Sequence, residues 1–426
     1  MWVINQANIK DWAKNYKGPL FDGILCDPPY ELGFMGKSWD SSGIAFDTEM
    51  WADIYKLLKP GGHLLAFSGS RTYHRMAVAI EDAGFEIRDM IEWVYGSGFP
   101  KSLNIGKAVD KANGIKIEAT GNGERETTNA MGNGLKNRCN VCDKPFFSGN
   151  PCKCDRTYKS SNDYQGYGTA LKPAHEPCVL ARKPIEGTVA NNVLKHGTGG
   201  LNIDGSRVET TDTYKQQAHD IRNNALMGKK GRHPTLFVES NPLGRFPANL
   251  IHDGSDEVVG LFPYTKSGSL TGSTRTRGNT YSKPSKEPQY SNGDSGSAAR
   301  FFYTAKASKS ERNAGLEGFE EVVKPLMGEF KNNPGRETPK SSPTARANHH
   351  PTVKPLSLTK YLANLIKPPQ GGRLLVPFSG SGSEMIGALQ AGWEYVEGVE
   401  LTEEYIPIAE ARIKHWTKEP EQKSLL

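Results

Sequence analysis

The chain is 426 residues long, enough for two or three domains, and 36% of it is hydrophobic, with a formal net charge of +6. That apolar fraction fills a sizeable α/β core and leaves a polar surplus concentrated in the middle of the sequence. No apolar leader opens the chain, and no run approaches the roughly eighteen apolar residues that a membrane helix needs, so secretion and membrane insertion are not expected and a cytoplasmic location is.

In chain order, the first apolar run, Phe21 to Cys26, reads as a buried parallel strand and leads into Asp27-Pro28-Pro29-Tyr30. A helix is predicted from about Thr48 to Leu58, stopped by Lys59-Pro60-Gly61-Gly62 before a strand from His63 to Phe67. A helix over Tyr73 to Ala83 ends at Gly84, and a strand over Phe85 to Tyr95 follows. Near the far end, a helix over Leu356 to Ile366 stops at Pro368-Pro369 and Gly371-Gly372. A strand over Arg373 to Val376 then enters Phe378-Ser379-Gly380-Ser381-Gly382. Ser383 to Gln390 continues as a helix, and Tyr395 to Val399 as a strand ending at Glu400. Alternating strands and helices at both ends predict an α/β fold, a doubly wound and mostly parallel sheet with permuted sequence order.

Both short motifs stand at the carboxyl ends of strands, where open α/β sheets bind ligands. An exocyclic amine of a nucleobase is a poor nucleophile because its lone pair is delocalised into the ring. An enzyme that alkylates it must accept its hydrogens in a fixed geometry. The Asp27 carboxylate and the Pro28 carbonyl offer two acceptors, the two prolines stiffen the turn, and Tyr30 offers a face for an extruded base. A merely rigid surface turn is the alternative. Phe378 to Gly382 lacks the spacing of a dinucleotide site or a P-loop, yet its small residues let backbone approach a ligand closely. Glu400, about twenty residues beyond that loop, stands where ribose hydroxyls are caught, although Thr402-Glu403-Glu404 also suits a helix cap.

Four cysteines fall as Cys139-x-x-Cys142 and Cys152-x-Cys154, the pattern of two knuckles closing on one structural zinc ion per chain rather than a disulfide framework, with paired or free loop thiols as the alternative. Cys26 and Cys178 read as buried core residues. From Lys266 to Arg300 the chain is rich in Gly, Ser and Thr, and Arg275, Arg277, Lys283 and Lys286 give it a basic character suited to gripping phosphates as a loop or lid, with a solvated linker as the alternative. Trp39, in a loop just beyond Tyr30, is a candidate cover for a base pocket or a packing anchor. Tyr164 and Tyr167 could line the same cleft or simply pack. The ten histidines show no ligand spacing, so no catalytic metal is expected.

These motifs, in this order, resemble the β-class amino-DNA methyltransferases, the adenine-modifying type that bacteria and their phages or prophages carry. Asp27 to Tyr30 resembles the catalytic half and Phe378 to Gly382 the S-adenosylmethionine half. Ile91-Glu92-Trp93 through Gly98-Phe99-Pro100-Lys101-Ser102 and His175-Glu176-Pro177 through Lys183 resemble two of the family's strands. His350-Pro351-Thr352-Val353-Lys354-Pro355 resembles the segment that closes over the methionine end of the cofactor. The resemblance implies a Rossmann-like methyltransferase fold, with Asp27, Phe378 to Gly382, Glu400, His350, Thr352 and Lys354 around S-adenosylmethionine. It implies methyl transfer to the 6-amino group of a flipped adenine in double-stranded DNA, with cytosine 4-amino transfer, RNA transfer or a silent DNA-binding protein as alternatives. Val376 departs from the family, which has Asp at that position. The expected layout is a catalytic half over 1–118, a zinc-binding insertion over 119–160, more of the methyltransferase sheet over 161–190, a target-recognition region over 191–345 with a basic loop over 265–300, and the cofactor half over 346–426. Whether the chain is a monomer or a homodimer is left open by the sequence.

Overall fold

The computed structural model describes residues 1–32, 41–98, 102–115, 162–210, 241–268, 293–305, 308, 310–320 and 347–417, together with the backbone of six short strands, 124–128, 134–139, 214–217, 237–239, 270–273 and 289–291. The chain divides into two compact units, one of Met1–Gly96 with His175–Leu426 and one of Ser97–Ala174. Among the described residues no helix is long and apolar enough to cross a membrane.

The larger unit is built on a nine-stranded sheet. Its strands in chain order are β1 (Trp2–Gln6), β2 (Phe21–Cys26), β3 (Leu58–Phe67), β4 (Glu86–Val94), β5 (His175–Arg182), β6 (Leu250–His252), β7 (Tyr303–Thr304), β8 (Arg373–Val376) and β9 (Tyr395–Glu400). Across the sheet they run β1-β9-β8-β2-β3-β5-β4-β6-β7. All neighbours are parallel except where β5 lies antiparallel between β3 and β4. The carboxyl-terminal strands thus insert between β1 and β2, which places the two ends of the sequence side by side.

Every residue of β2 is buried, as expected of a parallel strand covered on both faces. Alternate residues feed opposite faces of the sheet. Leu25 and Leu374 join a core with Leu65, Leu362 and Ile386, whereas Ile24 and Leu375 join another with Leu64, Trp51 and Ile54. On the second face α1 (Ile9–Asn15) is capped by Asn8, whose side chain accepts from the Lys10 amide, and α2 (Thr48–Leu57) by Asp47, whose carboxylate accepts from the Glu49 and Met50 amides. Each such cap satisfies amides that the helix itself leaves without acceptors and is worth about 1 kcal/mol.

The structure differs from the sequence reading at three places in this unit. Lys59-Pro60-Gly61-Gly62, expected as a turn before the strand, belongs to β3 itself. Phe21 pairs with Leu58 and Gly23 with His63, so Asp22 lies opposite the whole four-residue bulge, and Lys59 reaches back to Asp22 at 2.7 Å. β1 was not foreseen, because four half-buried residues and one exposed one at an edge carry little apolar pattern. β6 and β7 come from the segment assigned to target recognition and extend the sheet beyond β4.

In the smaller unit, α3 (Ile105–Ala112) is capped by the Asn104 side chain on the Lys107 amide. Asn162 fastens a loop to this helix by donating to the Gly106 carbonyl at 3.0 Å. Tyr164 and Tyr167 form an edge-to-face pair with centroids 5.9 Å apart, and both rings are exposed. Trp39, Cys142, Cys152, Cys154, Arg275, Arg277, Lys283 and Lys286 lie outside the described residues, as does the side chain of Cys139 at the end of strand Gly134–Cys139.

Candidate active site

β2 and β8 are adjacent and parallel, with Gly23 opposite Leu374 and Ile24 opposite Leu375. The Asp27 turn and the Phe378 to Gly382 loop therefore leave the sheet side by side at its carboxyl edge. Pro28 is buried, and the Tyr30 carbonyl accepts from the Thr72 hydroxyl at 2.7 Å. The next residue, Glu31, has φ +56°, an uncommon conformation for a residue other than glycine and one that costs about 1–3 kcal/mol. Its carboxylate accepts from the Gly43 amide at 2.8 Å and the Ser42 hydroxyl at 3.0 Å, which holds the turn against that strain.

The Lys354 ammonium sits at the centre of the site. It donates to Asp27 Oδ2 at 2.6 Å and to the Tyr30 hydroxyl at 2.9 Å, and it lies 3.1 Å from Glu176 Oε2. Tyr30 in turn donates to Glu176 at 2.8 Å, and Tyr95 donates to the other Glu176 oxygen at 3.4 Å. The aromatic faces of Phe67 and Tyr30 flank the ammonium at 4.7 and 5.3 Å. Burial alone would drive Lys354 toward neutrality, but the charges of Asp27 and Glu176 outweigh it and hold its pKa well above the usual lysine value. The Tyr30 hydroxyl is likewise pushed up, by burial and by the same two carboxylates.

With Oδ2 clamped, Asp27 Oδ1 is buried and has no hydrogen-bond partner among the described residues. A buried charged oxygen left unsatisfied costs at least 1–3 kcal/mol, so this atom stands ready to accept a donor.

The glycine loop is fixed by its neighbours at both ends. The Ser379 amide donates to the Val399 carbonyl at 3.0 Å, and the Gly380 amide donates to Glu400 Oε2 at 2.7 Å. The other Glu400 oxygen accepts from the Thr402 amide at 2.8 Å, while burial raises the pKa of this carboxyl and the amide bonds oppose the rise. Gly380 has φ +49°, and a side chain there would begin 2.7 Å from His350 Nε2. His350 thus lies over the loop, its ring edge-to-face with Tyr405 at 4.6 Å and its Nδ1 against the Thr352 carbonyl. Burial pushes His350 down to about 4, so the ring is neutral at physiological pH. The described helices that follow α3 in the chain are α4 (Val189–His196), α5 (Asp256–Val259), α6 (Leu356–Leu365), α7 (Ser383–Gln390) and α8 (Ile406–Trp416). Beneath the loop the fully buried Arg412 of α8 donates to the Ser381 carbonyl and, at 2.9 Å, to the Ser381 hydroxyl.

The residues singled out from sequence thus occupy two patches of one sheet edge, Asp27 to Tyr30 on one and Phe378 to Gly382, Glu400, His350 and Thr352 on the other. Lys354 links to the first of these, although the resemblance assigned it to the cofactor. Glu176, Tyr95 and Arg412 were not read as site residues, since their roles depend on contacts across large sequence separations. Among the described residues no group of His, Cys, Asp or Glu could hold a metal ion, and the four candidate zinc cysteines fall outside that statement.

Comparison with known proteins adds the family. The Type II methyltransferase M.HindIII of Haemophilus influenzae is 25% identical over 158 residues, which are 36% of this chain and 37% of that protein. The aligned region therefore spans little more than a third of that curated relative. Among solved structures, the M1.HpyAVI–SAM complex aligns over 97% of this chain and 100% of its own, with 12% identity and a TM-score of 0.36. The cytosine-N4-specific PvuII DNA methyltransferase aligns over 96% of this chain and 86% of its own, with 10% identity and a TM-score of 0.41. The N6/N4 DNA methylase family profile matches residues 21–411, from the first residue of β2 into α8, and so takes in both patches of the sheet edge. The chain belongs to the N6/N4 DNA methylase family.

Proposed function

We propose that the protein transfers a methyl group from S-adenosylmethionine to an exocyclic amino group of a base flipped out of double-stranded DNA, with the 6-amino group of adenine as the acceptor. The observation that carries this reading is Asp27 Oδ1, buried and without a hydrogen-bond partner among the described residues, on a carboxylate that shares Lys354 with the Tyr30 hydroxyl. It would accept one amino hydrogen, the Pro28 carbonyl the other, and Tyr30 would stack on the base. Lys354 holds Asp27 in position from behind, so orientation is set before the base arrives.

The residues present fit S-adenosylmethionine. The loop at Gly380 presents backbone rather than side chains, Glu400 stands at the end of the neighbouring strand to meet ribose hydroxyls, and His350 and Thr352 close over the loop. The carboxyl-rich edge formed by Asp27, Glu384 and Glu400 suits a cationic donor. The cofactor supplies a methyl group already activated on a sulfonium. The protein's part is to exclude water, align the amine, and offset with Asp27 the positive charge that develops on nitrogen.

In this reading residues 1–118 and 346–426 form the two halves of the methyltransferase domain, 161–190 completes its sheet, and 191–345 serves target recognition, with Arg275, Arg277, Lys283 and Lys286 on DNA phosphates and Trp39 near the base. Cys139, Cys142, Cys152 and Cys154 bind one structural zinc in the 119–160 insertion. Transfer of labelled methyl from S-adenosylmethionine to duplex DNA, RNA and protein in parallel tests the activity. Nucleoside analysis of the DNA should return N6-methyladenine. N4-methylcytosine instead would reassign the acceptor, and label in RNA or protein alone would overturn the DNA reading.

A further inference from the structure

The charges buried at this sheet edge do not balance. Lys354 is shared by Asp27 and Glu176, and Arg412, whose charge also acts on Glu384, donates to Ser381 and, at 3.3 Å, to the Ser383 hydroxyl rather than to a carboxylate, which leaves three buried or half-buried carboxylates against two cations. Glu384, in the first turn of α7 (Ser383–Gln390), is 4% exposed and makes no ion pair among the described residues. Val376, at the strand end before the glycine loop, is buried and brings no charge. A carboxylate in that setting is expensive to ionise unless a cation joins it.

We propose that Glu384 is a cofactor-binding residue whose carboxylate receives the α-ammonium of S-adenosylmethionine. This rests on the function proposed above and adds a named contact to it. Glu384 follows the glycine loop directly, on the helix that β8 feeds, and its carboxylate lies near enough to Asp27 and Lys354 for their charges to act on it. The groups around it are Asp27 and Cys26 at the end of β2, Lys354 before α6 (Leu356–Leu365), and Arg412 from α8. Burial and the Asp27 charge push Glu384 up to about 7, with Lys354 and Arg412 opposing. A group poised there is largely protonated below neutral pH and ionised above it. Binding a cation to the ionised form must therefore tighten as pH rises and must expel a proton.

The test measures binding of three ligands to the full chain by calorimetry, in buffers of different ionisation enthalpy and at several pH values around 7. S-adenosylmethionine and S-adenosylhomocysteine both carry the ammonium, and 5′-methylthioadenosine does not. For the wild type, affinity for the first two should rise with pH and be coupled to proton release, whereas 5′-methylthioadenosine should show neither effect. Glu384→Gln should lose the pH dependence and bind the first two about ten- to a hundredfold more weakly above neutral pH, as expected for loss of one charge-assisted bond. Glu384→Asp, which keeps the charge, should retain the pH slope, and Glu400→Gln should weaken binding of all three while leaving the slope in place. Equal weakening toward 5′-methylthioadenosine in Glu384→Gln, or an unchanged pH slope, would overturn the assignment. Failure of the wild type to bind any of the three would overturn the methyltransferase reading itself.

Discussion

At the scale of single residues, the division of labour within the Asp27 carboxylate is the central chemical fact. One oxygen is held by Lys354, and the other is buried without a partner among the described residues. Asp27→Ala should therefore abolish methyl transfer while leaving the fold and DNA affinity nearly intact. Turnover above about a tenth of wild type, a barrier change below roughly 1.4 kcal/mol, would show that the carboxylate does not orient the amine. Lys354 separates two roles that the sequence could not. If it positions Asp27, Lys354→Met should cut turnover by about a hundredfold or more and lower thermal stability, because it leaves buried carboxylates without their cation, while S-adenosylmethionine binds the folded fraction within about threefold of wild type. If it holds the cofactor, the dissociation constant should carry the loss instead. The Asp27 turn could be read from sequence because an apolar run places it at a strand end. Its link to Lys354, 327 residues away, could not, since nothing local to either segment encodes the meeting.

At the scale of elements, the glycine loop shows what a short sequence specifies and what tertiary packing adds. Small residues after a buried strand signal close backbone approach, but the sequence does not say what approaches. At Gly380 it is His350, from a segment thirty residues earlier, and the backbone is left-handed as well. Gly380→Val should therefore act twice, by straining φ and by displacing the imidazole that closes the loop. The expected result is at least a tenfold rise in the S-adenosylmethionine dissociation constant by calorimetry, with secondary structure by circular dichroism unchanged. Wild-type affinity in a folded Gly380→Val would remove this loop from the cofactor site. The same limit explains β3 and β1. Lys59-Pro60-Gly61-Gly62 carries every local sign of a turn, yet pairing across β2 absorbs it as a bulge opposite Asp22. Trp2–Gln6 has a weak pattern of its own and becomes a strand because β9 offers it an edge.

At the scale of the molecule, the sheet joins the two ends of the sequence, and the two described strands of the proposed insertion, Glu124–Thr128 and Gly134–Cys139, pair with each other rather than with it. A module of that kind is proposed to act on DNA without taking part in the chemistry. Cys139, Cys142, Cys152 and Cys154 supply four thiolates within sixteen residues, enough for one tetrahedral zinc and for no open coordination position. Because such a segment has little to bury, ion binding should supply much of its folding free energy, so losing the metal should unfold the insertion locally. Elemental analysis of protein purified under reducing conditions should find about one zinc per chain. Cys142→Ser combined with Cys152→Ser should lose that ion and weaken DNA binding or its sequence preference. Binding of S-adenosylmethionine should survive, because the residues assigned to it belong to the loop after β8, to α7 and β9, and to the segment before α6. Metal-free wild-type protein with full transfer activity would show that the four cysteines are ordinary thiols. Loss of cofactor binding in the double variant would show instead that the insertion supports the sheet edge itself.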